Sequence, residues 1–301
     1  MFNWLSGALR TAIRAAPAVT DQPGAHAYTE SHEQHLAVLG SPIAHSLSPR
    51  IHAAAYRALS LPWRYEAIEC ETDELAHLLQ GTDETWRGFS VTMPLKERAY
   101  EIAMLHDSAA QHSQVVNTLF RLAGSAGWAG FNTDVAGLAL ALEEAHLDVT
   151  HTVVLGAGAT AVSAILAAQS LEAQRITVCA RRPEAAQSIA KRFACEWATL
   201  SPEQPQIADP TLVISTLPNS AGEMVVLPAG LIETPLFDVA YSPWPTALAA
   251  RFQSAGTATH SGIAMLLNQA LLQVRIFVNG DASLPLEQED QVKQAMREAV
   301  L

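Results

Sequence analysis

Residues 152–161 read TVVLGAGATA, which is an apolar strand, a Gly-Ala-Gly turn and a run of small residues that opens a helix. No other stretch constrains the fold as tightly. A glycine turn between a buried strand and a helix is the start of a βαβ unit, and such units build parallel sheets with right-handed crossovers. The turn also offers backbone amides and the positive end of a helix to an anion such as a pyrophosphate. Read alone, the motif leaves two roles open, because the same turn also serves plain strand–helix packing.

The alternation continues beyond the turn. It predicts strands at 175–180, 212–215 and 236–239, and helices at 160–171, 184–193 and 246–255. Two further helices follow Gly262, at 263–278 and 287–300. The residues before the turn alternate in the same way. Strands are expected at 36–40, 63–70 and 89–93, a hairpin at 115–122 and 127–131, and helices at 48–59, 95–105 and 134–145. Ser48 followed by Pro49 gives the first of these helices a capping hydroxyl and a first-turn proline, and Asp73 is expected to cap a short helix ending near Leu79. The expected fold is therefore α/β with two domains. An N-terminal domain spans 36–137 and is completed by the helices of 262–301, while 138–261 form a Rossmann-type parallel-sheet domain. Residues 1–35 lack periodicity and are expected to be a disordered extension.

Composition narrows the function. The chain has 301 residues, enough for two cores, with 49% hydrophobic and 16% charged residues. Its net charge of −12 argues against nucleic-acid binding, yet a local basic site can still hold a small anion. Cys70, Cys179 and Cys195 form no paired motif, which fits reduced thiols and a cytoplasmic setting. No uninterrupted apolar run reaches membrane-spanning length, since Asn268, Gln269, Gln273 and Arg275 interrupt the nearest candidate. Arg10 and Arg14 follow the first apolar residues instead of preceding them, which does not suit a targeting peptide. The His32-x-x-His35 pair lies in the polar tail, and no metal is expected. Sequence leaves monomer or homodimer open.

Polar residues stand out on this apolar background. Gly156 and Gly158 let the backbone turn and approach a pyrophosphate, with Ala157 between them and Ala159 where a third glycine often stands. A site for NAD wants an acid at the end of the next strand, to hold the ribose 2′-hydroxyl. Here the strand ends Ala180-Arg181-Arg182, and two guanidiniums suit a 2′-phosphate, hence NADP. A solvated arginine pair opening a surface loop is the alternative. Ser46 and Ser48 stand at a helix start and either hold a carboxylate there or merely cap. His45 reads as a turn residue. Lys96 lies early in a helix, where a cation gains nothing from the macrodipole, and it can serve as a proton donor to a developing alkoxide. Asp134 either orients that lysine or caps its own helix. Asn117 and Gln269 place amides in apolar elements, where they must find partners.

Six clusters occur in one order: GSPIAHSLSP (40–49), SVTMPLK (90–96), VNT (116–118), NTD (132–134), the glycine turn, and GIAMLLNQA (262–270). Together they resemble the shikimate dehydrogenases, the NADP-dependent enzymes of aromatic amino-acid biosynthesis, over about residues 36–280. The resemblance implies reduction of 3-dehydroshikimate to shikimate with NADPH. By it, Ser46 and Ser48 would bind the shikimate carboxylate with help from Tyr241. Thr92, Asn117 and Gln269 would bind ring hydroxyls, and Lys96 and Asp134 would be the catalytic pair. Gly156, Ala157, Gly158, Ala159 and Gly262 would contact the cofactor, with Arg181 and Arg182 at its 2′-phosphate. The chain departs from the family at Ser90, where asparagine is usual, at Ala159, and at Ala180 and Arg182. Two alternatives stand beside this reading: a quinate/shikimate dehydrogenase using NAD, and a non-catalytic sensor of a cyclic acid and a nucleotide.

Overall fold

Two six-stranded sheets organise the chain in the computed structural model, which describes residues 33–125, 127–201, 207–222 and 224–300. The expected extension falls, except for its last residues, outside the described residues. The chain divides into two units, residues 1–133 with 269–301, and residues 134–268.

The first unit begins with β1 (His35–Gly40), α1 (Ser48–Ala58), β2 (Arg64–Glu69), α2 (Leu75–Gln80) and β3 (Trp86–Val91). It continues with α3 (Lys96–Ile102), β4 (Leu105–His106), α4 (Ser108–Ser113), β5 (Thr118–Arg121) and β6 (Trp128–Phe131). Its sheet runs β2-β1-β3-β5-β6-β4. The pairs β1/β2, β1/β3 and β4/β6 are parallel, whereas β5 runs antiparallel to both β3 and β6. That mixture decides where the chemistry collects. The carboxyl ends of β1, β3 and β6 and the entry of β5 all meet on one edge of the sheet. Leu39, Phe89, Val91, Leu95 and Leu119 form part of the core cluster beneath that edge, all buried.

The chain leaves this unit at the start of α5 (Thr133–Glu144). The second unit holds β7 (His151–Leu155), α6 (Ala159–Ser170), β8 (Arg175–Ala180), α7 (Pro183–Phe193), β9 (Glu196–Thr199) and β10 (Leu212–Ser215). Next come β11 (Leu236–Asp238), α8 (Ala247–Ser254) and β12 (Thr259–Ser261). Every strand pair in this sheet is parallel, in the order β12-β11-β10-β7-β8-β9. This is the doubly wound arrangement, with the order reversing between β7 and β10. The central strands β7 and β10 are buried along their whole length, with Val153, Val154, Leu155, Leu212, Val213 and Ile214 in the core, as strands covered on both faces require. The chain returns to the first unit within α9 (Ile263–Asn279) and ends in α10 (Glu289–Glu298), which packs on α1. Arg275 of α9 grips Glu289 with two bonds, of 2.7 and 2.5 Å. Arg87 of β3 donates to the Phe277 and Val278 carbonyls, placing a cation at the C-terminal end of α9.

Several expectations change. Neither the strand–helix pair β4–α4 nor the edge strands β9 and β12 was anticipated. The helix expected at 95–105 is shorter, because Ala103 adopts extended backbone (φ −64°, ψ 134°) and feeds β4. Asp73 caps nothing: α2 follows Glu74, whose carboxylate accepts from the Glu71 amide at 2.8 Å. Ser48 does not cap α1: the N-cap residue is Leu47, which makes no side-chain cap bond, and Ser46 Oγ, one residue earlier, accepts the Ser48 amide at 3.3 Å. Asp134 is not a cap residue either, because α5 already begins at Thr133; the acid sits in the first turn, where it complements the helix dipole.

Candidate functional site

In the first unit, chain geometry pins the motif loops together at one sheet edge. Gly40 ends β1, and a side chain there would strike Thr92 and the Met93 carbonyl, so the two loops close on each other. The Ser41 amide donates to the Met93 carbonyl at 3.0 Å and the Thr92 amide to the Leu39 carbonyl at 2.9 Å. Lys96, half-buried, is the first residue of α3, and its carbonyl accepts from the Val116 amide at 3.0 Å. The Val91 amide donates to the Asn117 carbonyl at 2.7 Å, and the Asn117 amide to the Phe131 carbonyl at 2.9 Å. Ser46, Ser48, Thr92, Lys96 and Asn117 therefore share the edge. Ser46 and Thr92 are half-buried, Ser48 is buried, and His45 lies in an exposed turn.

Asn117 is the hub of a buried polar cluster, only 2% exposed. Its Oδ1 accepts from the Thr133 amide at 2.9 Å and from Thr118 Oγ1 at 2.8 Å. Its Nδ2 donates to Thr133 Oγ1 at 2.9 Å and to Gln269 Oε1 at 3.4 Å. Asp107 steadies the adjoining chain, accepting from the amides of Ala110 (2.7 Å) and Asn132 (3.3 Å). Burial pushes its carboxyl up to about 7, against those two amides, which favour the charged form.

The sequence reading missed three side chains of this cluster, Tyr65, His52 and Gln273. Tyr65 donates to Ser90 at 2.6 Å, and Ser90 donates to Gln273 Oε1 at 2.8 Å. Burial lowers the His52 pKa to about 3, partly opposed by its bond to Gln273. Burial likewise raises the Tyr65 pKa, with bonds to Ser90 and Ser48 acting the other way. A signal did exist for Gln273: it follows Gln269 by one helical turn in a largely apolar helix, so the two amides share a face.

In the second unit the glycine turn follows β7, beside the point where the strand order reverses. Gly156 follows β7 at φ +118°, and a Cβ on it would lie 2.3 Å from Thr216 Oγ1. That hydroxyl is committed to the Leu155 carbonyl at 2.8 Å. Gly158 differs. It precedes α6 as its N-cap residue at φ −102°, is exposed, and a Cβ on it would meet no protein atom within 4 Å. The fold does not demand glycine there, so the open space suits a phosphate group lying on the helix terminus. Ala157 and Ala159 are half-buried beside it. At the end of β8, Ala180 is buried, and Arg181 and Arg182 are exposed. These residues fit a phosphorylated dinucleotide.

Gly262 has a different explanation. A side chain there would lie 2.0 Å from the Val239 carbonyl, so backbone packing alone requires the glycine. Tyr241, half-buried, lies in the loop after β11, and Asp134 is 5% exposed; both belong to the second unit. Thr246 secures the Tyr241 loop by donating to Asp238 at 2.7 Å while accepting the Ala249 amide at 3.0 Å. Among the described residues, all three cysteines are free, no group of three or more His, Cys, Asp or Glu could hold a metal, and no helix is long and apolar enough to cross a membrane.

Comparison with known proteins agrees with this geometry. Residues 38–119 match a family model described as the shikimate dehydrogenase substrate binding domain. A shikimate dehydrogenase (NADP(+)) of Prochlorococcus marinus is 31% identical over 263 residues, 81% of this chain and 92% of that protein. The crystal structure of Mycobacterium tuberculosis shikimate dehydrogenase superposes with a TM-score of 0.74 at 36% identity, covering 88% of this chain and 99% of that one. The Thermus thermophilus shikimate 5-dehydrogenase, solved in complex with NADP(H) and shikimate, gives 0.71 at 28% identity over 88% of this chain and 99% of that one.

Proposed function

Because the chain belongs to the shikimate dehydrogenase family, we propose that it reduces 3-dehydroshikimate to shikimate with NADPH, as a step of aromatic amino-acid biosynthesis. The observation that carries the reading is the gathering of Ser48, Thr92, Lys96 and Asn117, with Gln269 bonded to Asn117, along one edge of the first sheet. We assign substrate binding to the first unit and cofactor binding to the second, and take the enzyme to act on small molecules as a monomer or homodimer in the cytoplasm.

The residues take roles that their chemistry suits. Ser46 and Ser48, beside the start of α1, receive the substrate carboxylate, to which hydroxyls and helix amides donate. Thr92, Asn117 and Gln269 read the ring hydroxyls, with Tyr241 as a further contact. The Gly156–Ala159 turn cradles the pyrophosphate, and Arg181 and Arg182 face the 2′-phosphate with charge-assisted bonds. Bound NADPH supplies the hydride that adds to the ring ketone. Lys96 donates a proton to the carbonyl oxygen as negative charge develops there, and takes it back in the reverse direction. Asp134 is its partner in that acid–base work.

Absorbance of the nicotinamide band tests the reading, with shikimate or quinate as substrate and NADP or NAD as cofactor. The expected result is turnover of shikimate with NADP. Lys96→Ala should lower turnover by about 10²–10⁴-fold while NADPH affinity holds. A folded Lys96→Ala protein that turns over like its parent would remove the lysine from the chemistry.

A further inference from the structure

Gln273, on α9, belongs to none of the six sequence clusters, yet it is 2% exposed and its amide is fully bonded. Its Oε1 accepts from Ser90 Oγ at 2.8 Å and faces His52 Nε2 at 3.2 Å. Its Nε2 donates to the Asn117 carbonyl at 3.2 Å and to Thr118 Oγ1 at 3.0 Å. A side-chain amide has an oxygen with two lone pairs and a nitrogen with two protons, and these bonds use all of them.

Two backbone groups fix the direction of the protons in this network. The Asn117 carbonyl can only accept, so the Gln273 atom facing it is the amide nitrogen. Oε1 then points the other way, and Ser90 and His52 both donate to it. Tyr65 in turn donates to Ser90 at 2.6 Å. His52, which burial keeps neutral, carries its single ring proton on Nε2, so Nδ1 accepts from the Tyr56 hydroxyl, 3.1 Å away. At the other end, Thr118 Oγ1 accepts from Gln273 and gives its own proton to Asn117 Oδ1 at 2.8 Å. The Thr133 amide, which can only donate, meets the same Oδ1 at 2.9 Å. Asn117 Nδ2 is thereby turned to Thr133 Oγ1 at 2.9 Å and Gln269 Oε1 at 3.4 Å.

We propose that Gln273 is a positioning residue for Asn117. It holds the Asn117 backbone carbonyl directly and, through Thr118, the side-chain oxygen, so that the nitrogen end of the Asn117 amide is the one offered to substrate. The inference rests on the substrate reading given above. Asn117 then meets a ring hydroxyl as a donor. Its bond to Gln269 is the longest that its side chain makes in this network, and a ligand oxygen that takes over this proton leaves the Oδ1 side undisturbed. Thr118 and Gln273 are both buried and act through Asn117. An amide already held in one orientation improves affinity by sparing the cost of ordering it on binding.

Shikimate titrated calorimetrically into full-length proteins tests it: the parent, Thr118→Val, Thr118→Ser, Gln273→Met and the Thr118→Val/Gln273→Met double variant. Thr118→Val keeps the volume and removes the hydroxyl that links Gln273 to Asn117 Oδ1. It should raise the shikimate Kd about three- to tenfold, the range of one ordinary hydrogen bond. Thr118→Ser retains the hydroxyl and should bind like the parent, a rescue that a purely space-filling threonine would not give. Gln273→Met cuts both links to Asn117 and should weaken binding at least as much as Thr118→Val. The double variant should then be no weaker than Gln273→Met alone, because Thr118 acts on behalf of a residue already removed. An unchanged Kd in Thr118→Val or Gln273→Met, a serine variant as weak as the valine one, or full multiplication of the two losses in the double variant overturns the inference. If Gln273→Met does not fold, Gln273→Glu, which keeps an acceptor for Ser90 and His52, takes its place in the same comparisons. A parent that binds no shikimate overturns the substrate reading and this inference with it, whereas a parent that binds beside indifferent variants overturns the inference alone.

Discussion

One substitution made at two positions of the glycine turn separates folding from cofactor binding. At Gly158 an added Cβ meets no protein atom within 4 Å, and φ of −102° is open to any residue. Gly158→Ala should gain about 0.4–1 kcal/mol from a less flexible unfolded chain. It should lose a similar amount, about 0.5–1 kcal/mol, because alanine is a poor N-cap residue. Net stability therefore stays near the parent's. Gly156→Ala faces φ of +118° and a Thr216 oxygen 2.3 Å from its Cβ. Strain of about 1–3 kcal/mol, plus about 1 kcal/mol for a displaced Thr216–Leu155 bond, predicts a loss of roughly 2–4 kcal/mol. Binding should reverse the ranking of defects. If a pyrophosphate lies on the amides at Gly158, the methyl displaces it. Loss of one charge-assisted bond, about 1.5–3 kcal/mol, weakens NADPH by roughly tenfold to more than a hundredfold. Urea unfolding reads the stabilities, and NADPH fluorescence reads the affinity. A Gly158→Ala protein that binds NADPH as tightly as the parent would refute the placement of the phosphate.

Two further outcomes are expected. Arg181→Ala should raise the NADP Michaelis constant roughly tenfold or more and leave NAD nearly untouched, since only NADP carries the phosphate that the guanidinium would pair; steady-state kinetics checks this, and equal use of both cofactors by the parent would overturn it. Asp107→Asn should alter how stability depends on pH. The folded carboxyl titrates near 7 against an ordinary value of 3.8, so between those values the folded state holds the extra proton. The stability this contributes is present at low pH and is lost as pH rises toward 7. Asparagine keeps an oxygen for the amides of Ala110 and Asn132 and does not titrate. Relative to the parent, the variant should therefore gain up to about 1.4 kcal/mol per pH unit across that window in urea unfolding. A pH-independent difference would show that Asp107 is charged throughout.

The elements that sequence revealed are those whose pattern is set locally. The strand and helix around Gly156 follow from apolar runs and a turn that only glycine makes easily, and the hairpin of β5 and β6 from two strand-like runs joined by a Gly-Ser-Ala-Gly link. The edge strands β9 and β12 were not legible, because neither forms a continuous buried run: Glu196 and Trp197 of β9 face solvent, and β12 is half-buried throughout. The pair β4–α4 was hidden by its brevity, although Asp107 before Ser108 is an N-cap signal that the structure uses. The site divides similarly. Asn117 and Gln269 were legible because an amide in an apolar element must have partners. Tyr65 and His52 were not, because an aromatic ring with one polar atom fits a core position, and only tertiary contact shows where that atom points.

Ser90 brings the two levels together. An amide at this position carries donors enough for a neighbour and a ligand, whereas a hydroxyl has one proton. Here that proton goes to Gln273, and the oxygen accepts from Tyr65, with the residue 4% exposed. Ser90 thus has no donor left for a substrate. What the serine supplies instead is continuity, since it alone joins Tyr65 to Gln273 in the chain of bonds described. On the proposed reading, recognition of ring hydroxyls would fall to Thr92, Asn117 and Gln269, and Asn117 is held through both its own amide and its backbone carbonyl. On this argument the serine at 90 supports the residues proposed to bind the ligand.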